Sequence, residues 1–186
     1  MDLILLQPGD QTIFSSKPSS LIEASQWTSE APTGFYIELV SLHQGMKQQI
    51  TTDVSNQART SGRPIVTEFT LTKYVDETSV KFYEYCLGAK PLGADAAFTT
   101  IYIARNSGGK TANIIKMDLR DAIISEIQLQ THPNDMPTEQ FKLNFTEIVW
   151  SYTQQYNDLT TAKGSKLAGW SLSKNMPIAA ISKTIP

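Results

Sequence analysis

The stretch I-V-T-E-F-T-L-T-K-Y-V-D-E-T-S-V-K-F-Y-E-Y-C-L-G runs from Ile65 to Gly88 and changes its periodicity half-way. In its first half apolar and polar residues alternate, which predicts a half-buried strand; the apolar side carries Ile65, Phe69, Leu71 and Val75. The second half predicts one short helix, because apolar spacing of i, i+3, i+4 and i+7 joins Val80, Tyr83, Glu84 and Leu87. Thr78 or Ser79 can cap its start, and Gly88 stands where a helix usually stops.

The composition is that of an ordinary globular chain of one domain, residues 1–186, with 40% hydrophobic residues and a net charge of −2. No run of lysine or arginine is present, so we expect no nucleic-acid partner. The single cysteine, Cys86, excludes an internal disulfide. The apolar start at 1–6 lacks the basic residues of a signal peptide, and no stretch approaches the roughly 20 apolar residues that span a bilayer. We therefore expect assembly in the cytoplasm without membrane insertion.

Strand patterns lie on both sides of the opening stretch. They cover 1–6, 36–42 with a weaker continuation to 50, 96–105, a long run at 115–129, 141–152 and 167–173. The long run exceeds the usual strand length, so we expect a sharp bend near 120–122. Because the apolar parity switches near Thr146 and Glu147, the chain should bulge or cross there between sheets. The pattern predicts a mainly β fold, with two antiparallel sheets forming a barrel or sandwich and one short helix on the side.

Four segments fall outside this pattern. Residues 7–34 predict a loop insertion, with a short added strand around 21–28, and the two prolines of 132–137 predict another loop. Residues 179–186 predict a loose tail. Residues 51–64 form a long polar connection between two strong strands, and such connections persist more often for function than for packing. Its candidate contact residues are Asp53, Arg59, Gly62 and Arg63.

Candidate catalytic groups do not form a convincing constellation. His43 and His132 are the only histidines, and neither has metal-motif spacing. Cys86 with His43 could make a nucleophile and base, but its apolar helix favours burial. Asp76 and Glu77 are explained by charge at a helix N-terminus. Trp150, Tyr152 and Tyr156 could stack on a sugar, although core packing is the simpler reading of aromatic residues on a strand. We expect no enzymatic activity, metal or cofactor.

Three ordered stretches resemble the Hcp (haemolysin-coregulated protein) family, the tube proteins of bacterial type VI secretion. The first is F-T-L-T-K-Y-V-D at 69–76, followed by a short helix with Cys86. The second joins F-K-L-N-F at 141–145 to V-W-S-Y-T-Q-Q at 149–155, and the third is A-G-W-S-L at 168–172. The residues that carry the resemblance are Phe69, Lys73, Tyr74, Asp76, Cys86, Trp150, Tyr152 and Trp170. The insertion at 7–34 departs from the shorter connection usual in the family.

The resemblance implies a tube subunit that forms stacked hexameric rings and can carry small effectors in the lumen. It also implies three kinds of partner: other copies of the chain, the valine-glycine repeat (VgrG) spike and a contractile sheath, with export that needs no signal peptide. In the family an extended loop between the second and third strands reaches toward the next ring, which matches 51–64. Two alternatives remain open from the residues alone, a β-sandwich that binds a small ligand or carbohydrate, and a hydrolase whose site lacks a familiar motif.

Overall fold

The computed structural model describes residues 2–16, 22, 26–28, 31–52, 59–93, 97–107, 109–156 and 161–180. Within them the chain forms one α-helix and two large antiparallel sheets, which confirms the predicted fold class. The strands, in chain order, are β1 (Asp2–Gln7), β2 (Ile37–Leu39), β3 (Ser41–His43), β4 (Met46–Lys47), β5 (Ile50–Thr52), β6 (Arg59–Ser61), β7 (Ile65–Val66), β8 (Phe69–Tyr74), β9 (Thr99–Ser107), β10 (Lys110–Arg120), β11 (Ile123–Gln130), β12 (Thr138–Asn144), β13 (Glu147–Gln155), β14 (Thr161–Ser171) and β15 (Met176–Pro177). The helix, α1, spans Ser79–Leu87.

The two sheets pack face to face. In the described residues sheet A has seven strands in the order β15-β14-β13-β10-β9-β1-β2, and sheet B has four in the order β11-β12-β8-β3. Because side chains alternate along each strand, every second one points into the space between the sheets. The apolar side chains there form the main core. Fully buried members include Leu6, Phe69, Leu71, Ile101, Leu119, Phe141, Leu143 and Ile148.

The chain passes between the sheets at three corners. It crosses at Val40 between β2 and β3, at Asp121 between β10 and β11, and at 145–146 between β12 and β13. Asp121 has a φ of 50°, a left-handed backbone that turns the chain sharply. The predicted bend near 120–122 and the predicted crossing near 146–147 are both confirmed. The expected strand at 36–42 is instead divided at Val40, because its two halves belong to different sheets.

The described part of the insertion at 7–34 contacts both faces of sheet A, because Ile13 and Phe14 join the main core and Trp27 packs on the other face. Its entry is a 3₁₀ turn, Gln11–Ile13. The Gln11 side chain holds the two ends of the insertion together, donating to the Pro8 carbonyl at 2.6 Å and accepting from the Phe35 N–H at 2.6 Å. Trp27 makes a single β-bridge with Thr111 and packs against a second apolar cluster, Leu5, Tyr36 and Tyr102. Sheet A is therefore covered by apolar contacts on both faces.

Two predicted apolar faces need correction: the strand face is right at Phe69 and Leu71, which are fully buried, but wrong at Ile65, and the helix face is turned outward. Ile65 is 50% exposed, and its neighbour Val66 packs against the core instead. On α1 the predicted stripe points outward, with Val80 72% and Leu87 89% exposed. The helix buries Phe82 and Tyr85 and packs the half-buried Cys86 beside them. Both stripes of the helix are apolar, so the position of the sheet decides which one is buried.

Candidate functional site: a projecting arm and a buried ionic cluster

One long hairpin leaves sheet B and projects beyond it. Strands β3 and β8 pair from Ser41↔Thr72 to His43↔Thr70, and the ladder then resumes as β4 with β7 and as β5 with β6. We call these outer four strands, within 46–66, the arm. At each resumption two residues of the outgoing strand face three of the returning strand, which bends a two-stranded ladder. Within the predicted loop 51–64, residues 51–52 and 59–61 instead form strands.

The predicted contact residues are distributed along this arm. Asp53 lies outside the described residues, as do its neighbours to 58. Arg59 begins β6 opposite Thr52, and the Gly62 N–H donates to the Gln49 carbonyl at 3.1 Å. Arg63 donates from its guanidinium to the main-chain carbonyl of Leu172, just beyond β14. Arg63 therefore fastens the arm to its own chain, and a role for these residues toward another molecule stays a prediction.

The inner side of the arm faces the part of sheet A that sheet B does not cover. A cleft of about 690 Å³ lies at its root, with Ile103, Ile115, Met117 and Trp150 among its lining residues. A second cleft of about 460 Å³ lies further out, between the arm and β13 and β14. Its lining residues include Met46, Pro64, Val66, Ala168 and Trp170. The arm thus leans over the sheet without filling the space beneath it.

At the other end of β8 a buried ionic cluster joins sheet B to the helix. The Lys73 Nζ lies 3.0 Å from the Glu139 carboxylate on β12, and both side chains are fully buried. Lys73 also donates to Asp76 at 2.8 Å and to the Ser79 hydroxyl at 3.0 Å. Ser79 donates in turn to Glu139 at 2.9 Å, and the Tyr83 hydroxyl donates to its other oxygen at 2.9 Å. Each buried charge therefore has several partners, which is the condition for an ion pair to survive in a core.

Asp76 connects this cluster to the start of the helix. Its carboxylate accepts from the Thr78 N–H at 2.8 Å and from the Thr78 hydroxyl at 2.5 Å. Burial alone would raise the pKa of Asp76, but the hydrogen bonds from Lys73 and Thr78 outweigh it and hold the pKa below its ordinary value. For Tyr83, burial and the hydrogen bond to Glu139 both raise the pKa of the phenol. Asp76 therefore acts at the helix start as the sequence indicated, with Lys73 as its charge partner.

A second polar contact fastens the far end of the helix to the insertion. The Tyr85 hydroxyl donates to Asp10 at 2.5 Å, and the Lys90 Nζ donates to the Tyr85 oxygen at 2.9 Å. Asp10 also accepts from the Thr12 N–H at 3.0 Å. Burial opposes the charge of Asp10, but the bonds from Thr12 and Tyr85 lower its pKa to about 2. The helix is consequently held at both ends by ionised carboxylates.

The other residues of the three motifs divide between core and surface. Phe69 is fully buried, whereas Tyr74 is 49% exposed at the end of β8. Trp150 and Trp170 are partly buried beside the arm. Tyr152 and Tyr156 are exposed, so the reading of these two tyrosines as core residues is wrong. Leu129, at the end of the long run, is also exposed.

The catalytic candidates are not brought together. His43 is exposed on the edge strand β3, while Cys86 is on the helix that packs against β11, the opposite edge of sheet B. Among the described residues no group of three His, Cys, Asp or Glu side chains could hold a metal ion. The sole helix described is too short and too polar to cross a membrane.

Sequence reasoning missed Glu139, which is the main partner of Lys73. Two signals in the sequence could have found it. Lys73 has the same strand parity as Phe69 and Leu71, and Glu139 has the same parity as Phe141 and Leu143. A charged residue on each of two buried faces indicates an ion pair between the strands, since an isolated buried charge is very costly.

The fold and sequence were compared with known proteins. A family model described as "Type VI secretion system effector, Hcp" matches residues 33–152, more than half of the chain. No curated protein matches significantly. A solved structure titled as a type six secretion system protein is 18% identical, with a TM-score of 0.75, covering 96% of this chain and 100% of its own.

Two further structures have the same fold. Hcp1 from Salmonella typhimurium is 16% identical with a TM-score of 0.66, covering 95% of this chain and 99% of its own. A type VI secretion system effector from Yersinia pestis is 15% identical with a TM-score of 0.59, covering 90% of this chain and 98% of its own. The structural similarity, with TM-scores from 0.59 to 0.75, establishes the fold, and the family match over 33–152 establishes the family. The chain belongs to the Hcp family of type VI secretion system proteins.

Proposed function

We propose that this chain is a tube subunit that assembles into hexameric rings, which stack into the expelled inner tube. Family membership is the observation that supports the proposal most strongly. A ring of identical chains needs two different lateral surfaces that fit each other, and stacking needs two axial surfaces as well. A subunit of this kind makes and breaks no covalent bond. In the described part of the chain, the buried ionic cluster joins the helix to sheet B, in keeping with a structural role.

The arm is the axial contact in this proposal. A two-stranded ladder that projects from a sheet exposes both of its faces, and exposed apolar side chains such as Met46 and Ile50 lie along it. Asp53, Arg59, Gly62 and Arg63 are the residues that would meet the neighbouring ring. Arginine at such an interface can form charge-assisted, bidentate hydrogen bonds with carboxylates. Arg63 would contribute through the donors that its bond to Leu172 does not use.

The other partners follow from the same proposal. The tube would carry the VgrG spike at its tip, lie inside the contractile sheath and leave the cell without a signal peptide. Small effectors would travel in the lumen. No partner is chosen by bulk charge, because the net charge of the chain is only −2.

The test combines size with stacking. We expect a particle of about 120 kDa, six times the 20.6 kDa chain, by light scattering, and six-fold rings in negative-stain images. Replacing residues 53–62 by a short Gly-Ser linker should leave ring mass and unfolding unchanged but strongly reduce tube formation and secretion. A monomer at every concentration would contradict the ring. Unimpaired stacking by the shortened chain would move the axial role elsewhere.

A further inference from the structure

The contact between the arm and sheet A is incomplete. Clefts of about 690 and 460 Å³ lie beneath the arm, whereas protein interiors are packed to nearly crystalline density. Side chains that line such a gap lose the dispersion contacts that a filled interface would give them. The lining of the outer cleft is largely apolar, with Trp150, Trp170, Met46 and Val66 on its two sides. Closing it would therefore add dispersion contacts between these side chains.

Buried hydrogen-bond donors in the same region also lack partners. The Gln44 amide, at the bend where the arm leaves β3, and the Trp170 indole N–H, beneath the arm, are buried without an acceptor among the described residues. Buried hydrogen-bond donors in native proteins are nearly always paired with an acceptor. Both donors lie beside the clefts, where movement of the arm would bring acceptors toward them.

The connection of the arm to the body permits movement. It bends at Gly45 and again at Gly62, where each strand pair has one extra residue on the returning side. Neither glycine is crowded, since a Cβ would make ordinary van der Waals contact with Thr67 at 3.5 Å at the first and with Gln49 at 3.9 Å at the second. The Arg63 side chain fastens the arm to the body by its hydrogen bond to the Leu172 carbonyl. A small rotation at Gly45 would carry the arm toward the sheet.

We propose that the arm is a strap that closes onto Trp150 and Trp170 when one ring engages the next, an inference that rests on the proposed stacking. The occupant of the outer cleft is the arm itself, through Met46 and Val66, which are directly opposite each other in the ladder and share one of its faces. Closure brings main-chain carbonyls of the arm within reach of the Trp170 N–H. The isolated ring holds the arm open, and contact with a neighbouring ring stabilises the closed position.

Tryptophan quenching by acrylamide measures the closure in the full chain. A Trp27→Phe variant reports on Trp150 and Trp170, and its quenching constant should fall by about two-fold or more when rings stack, because the indoles become covered. A matched control, Trp150→Phe with Trp170→Phe, reports on Trp27, which packs on the other face of sheet A. Its quenching should not change. Stacking with no change at Trp150 and Trp170 would overturn the inference and leave the tube function intact.

An engineered disulfide between the arm and sheet A distinguishes two explanations: closure of the arm, and entry of a segment of another chain into the cleft. Met46 and Ala168 line the outer cleft from its two sides, so Met46→Cys with Ala168→Cys on a Cys86→Ser background allows the arm to be locked down. Oxidised rings should stack at least as well as reduced ones. Loss of stacking on oxidation, with recovery on reduction, would show that the cleft must stay open for a partner segment and would contradict closure. Rings of the parent chain that never stack would instead overturn the proposed function on which this inference depends.

Discussion

The helix end of sheet B and the arm differ in how completely their side chains are packed and their buried polar groups are paired. Around Lys73 and Glu139 every buried charge is paired, and the aromatic ring of Phe82 lies 5.2 Å from that of Phe141. Beneath the arm there are two clefts, and the buried donors of Gln44 and Trp170 have no acceptor within the part of the chain that the structure describes. The comparison shows that packing is complete at the helix end and incomplete beneath the arm. The incompletely packed surface is the one where a partner is expected.

Breaking the ionic cluster should have the largest effect. Lys73→Met leaves the Glu139 carboxylate buried with only the hydroxyls of Ser79 and Tyr83, and loss of one partner from a buried pair costs about 3–5 kcal/mol. Urea unfolding measures this cost. Lys73→Met combined with Glu139→Leu removes both charges and should recover much of the loss. Equal destabilisation by the single and double variants would mean that the charges do not interact.

Glycines at the two ends should differ in how strongly their replacement by alanine destabilises the protein. A Cβ on Gly93 would meet the Ala97 carbonyl at 2.0 Å, and backbone cannot yield as a flexible side chain can. Gly93→Ala should therefore destabilise the protein by about 2–3 kcal/mol, in the range of overpacked sites. Gly62→Ala in the arm, where a Cβ would meet Gln49 at 3.9 Å, is the matched control and should change stability by less than about 0.5 kcal/mol. If both variants lowered the melting temperature equally, the predicted difference in crowding around the two glycines would be wrong.

Acid should loosen the helix end before it affects the arm. The pKa of Asp10 is about 2 in the folded chain against an ordinary 3.8, so its contribution is complete above 3.8 and is lost as the pH falls through 2. After allowance for solvent screening this contribution is about 1 kcal/mol. Asp10→Asn should therefore flatten the acid limb of a stability profile between about pH 4 and pH 2. A variant profile parallel to that of the parent would refute the assignment.

Releasing the arm should have the smallest effect on stability. Arg63→Ala removes one hydrogen bond at an exposed site, which should cost less than about 1 kcal/mol of unfolding free energy. The same change should raise the proteolysis rate within the arm, because the bond to Leu172 restrains it. Limited proteolysis followed by mass spectrometry locates the cuts. Arg63→Lys is a control that keeps a charged donor, and protection unchanged in Arg63→Ala would show that the bond is not a restraint.

The sequence predicted those features that depend on local pattern. Alternation located the strand at Phe69–Tyr74, and the parity switch located the crossing that places β12 and β13 in different sheets. The buried face of α1 was not predictable, because Val80 and Leu87 form one apolar stripe and Phe82 and Tyr85 form another. Only contact with sheet B distinguishes the two stripes.

The outer part of the arm, beyond residue 50, and the ionic cluster escaped prediction for different reasons. A two-stranded ladder buries little, so its composition is as polar as that of a loop, and hydrophobic periodicity is absent. The cluster depends on pairing between β8 and β12, which are far apart in the chain. The resemblance in 69–76 marked Lys73 and Asp76 as important, but their partner Glu139 lies outside the motifs.

Hydrogen exchange followed by mass spectrometry, on rings and on stacked tubes of the full chain, tests the central claim most directly. In rings, amides of β8, α1 and β12 should be strongly protected and those of β4 to β7 weakly protected, because the clefts beneath the arm leave it few contacts. In tubes the arm and the axial surface that it meets should gain protection, while the ionic cluster stays as it was. An arm as protected as β8 in isolated rings, or one that gains nothing on stacking, would contradict the account.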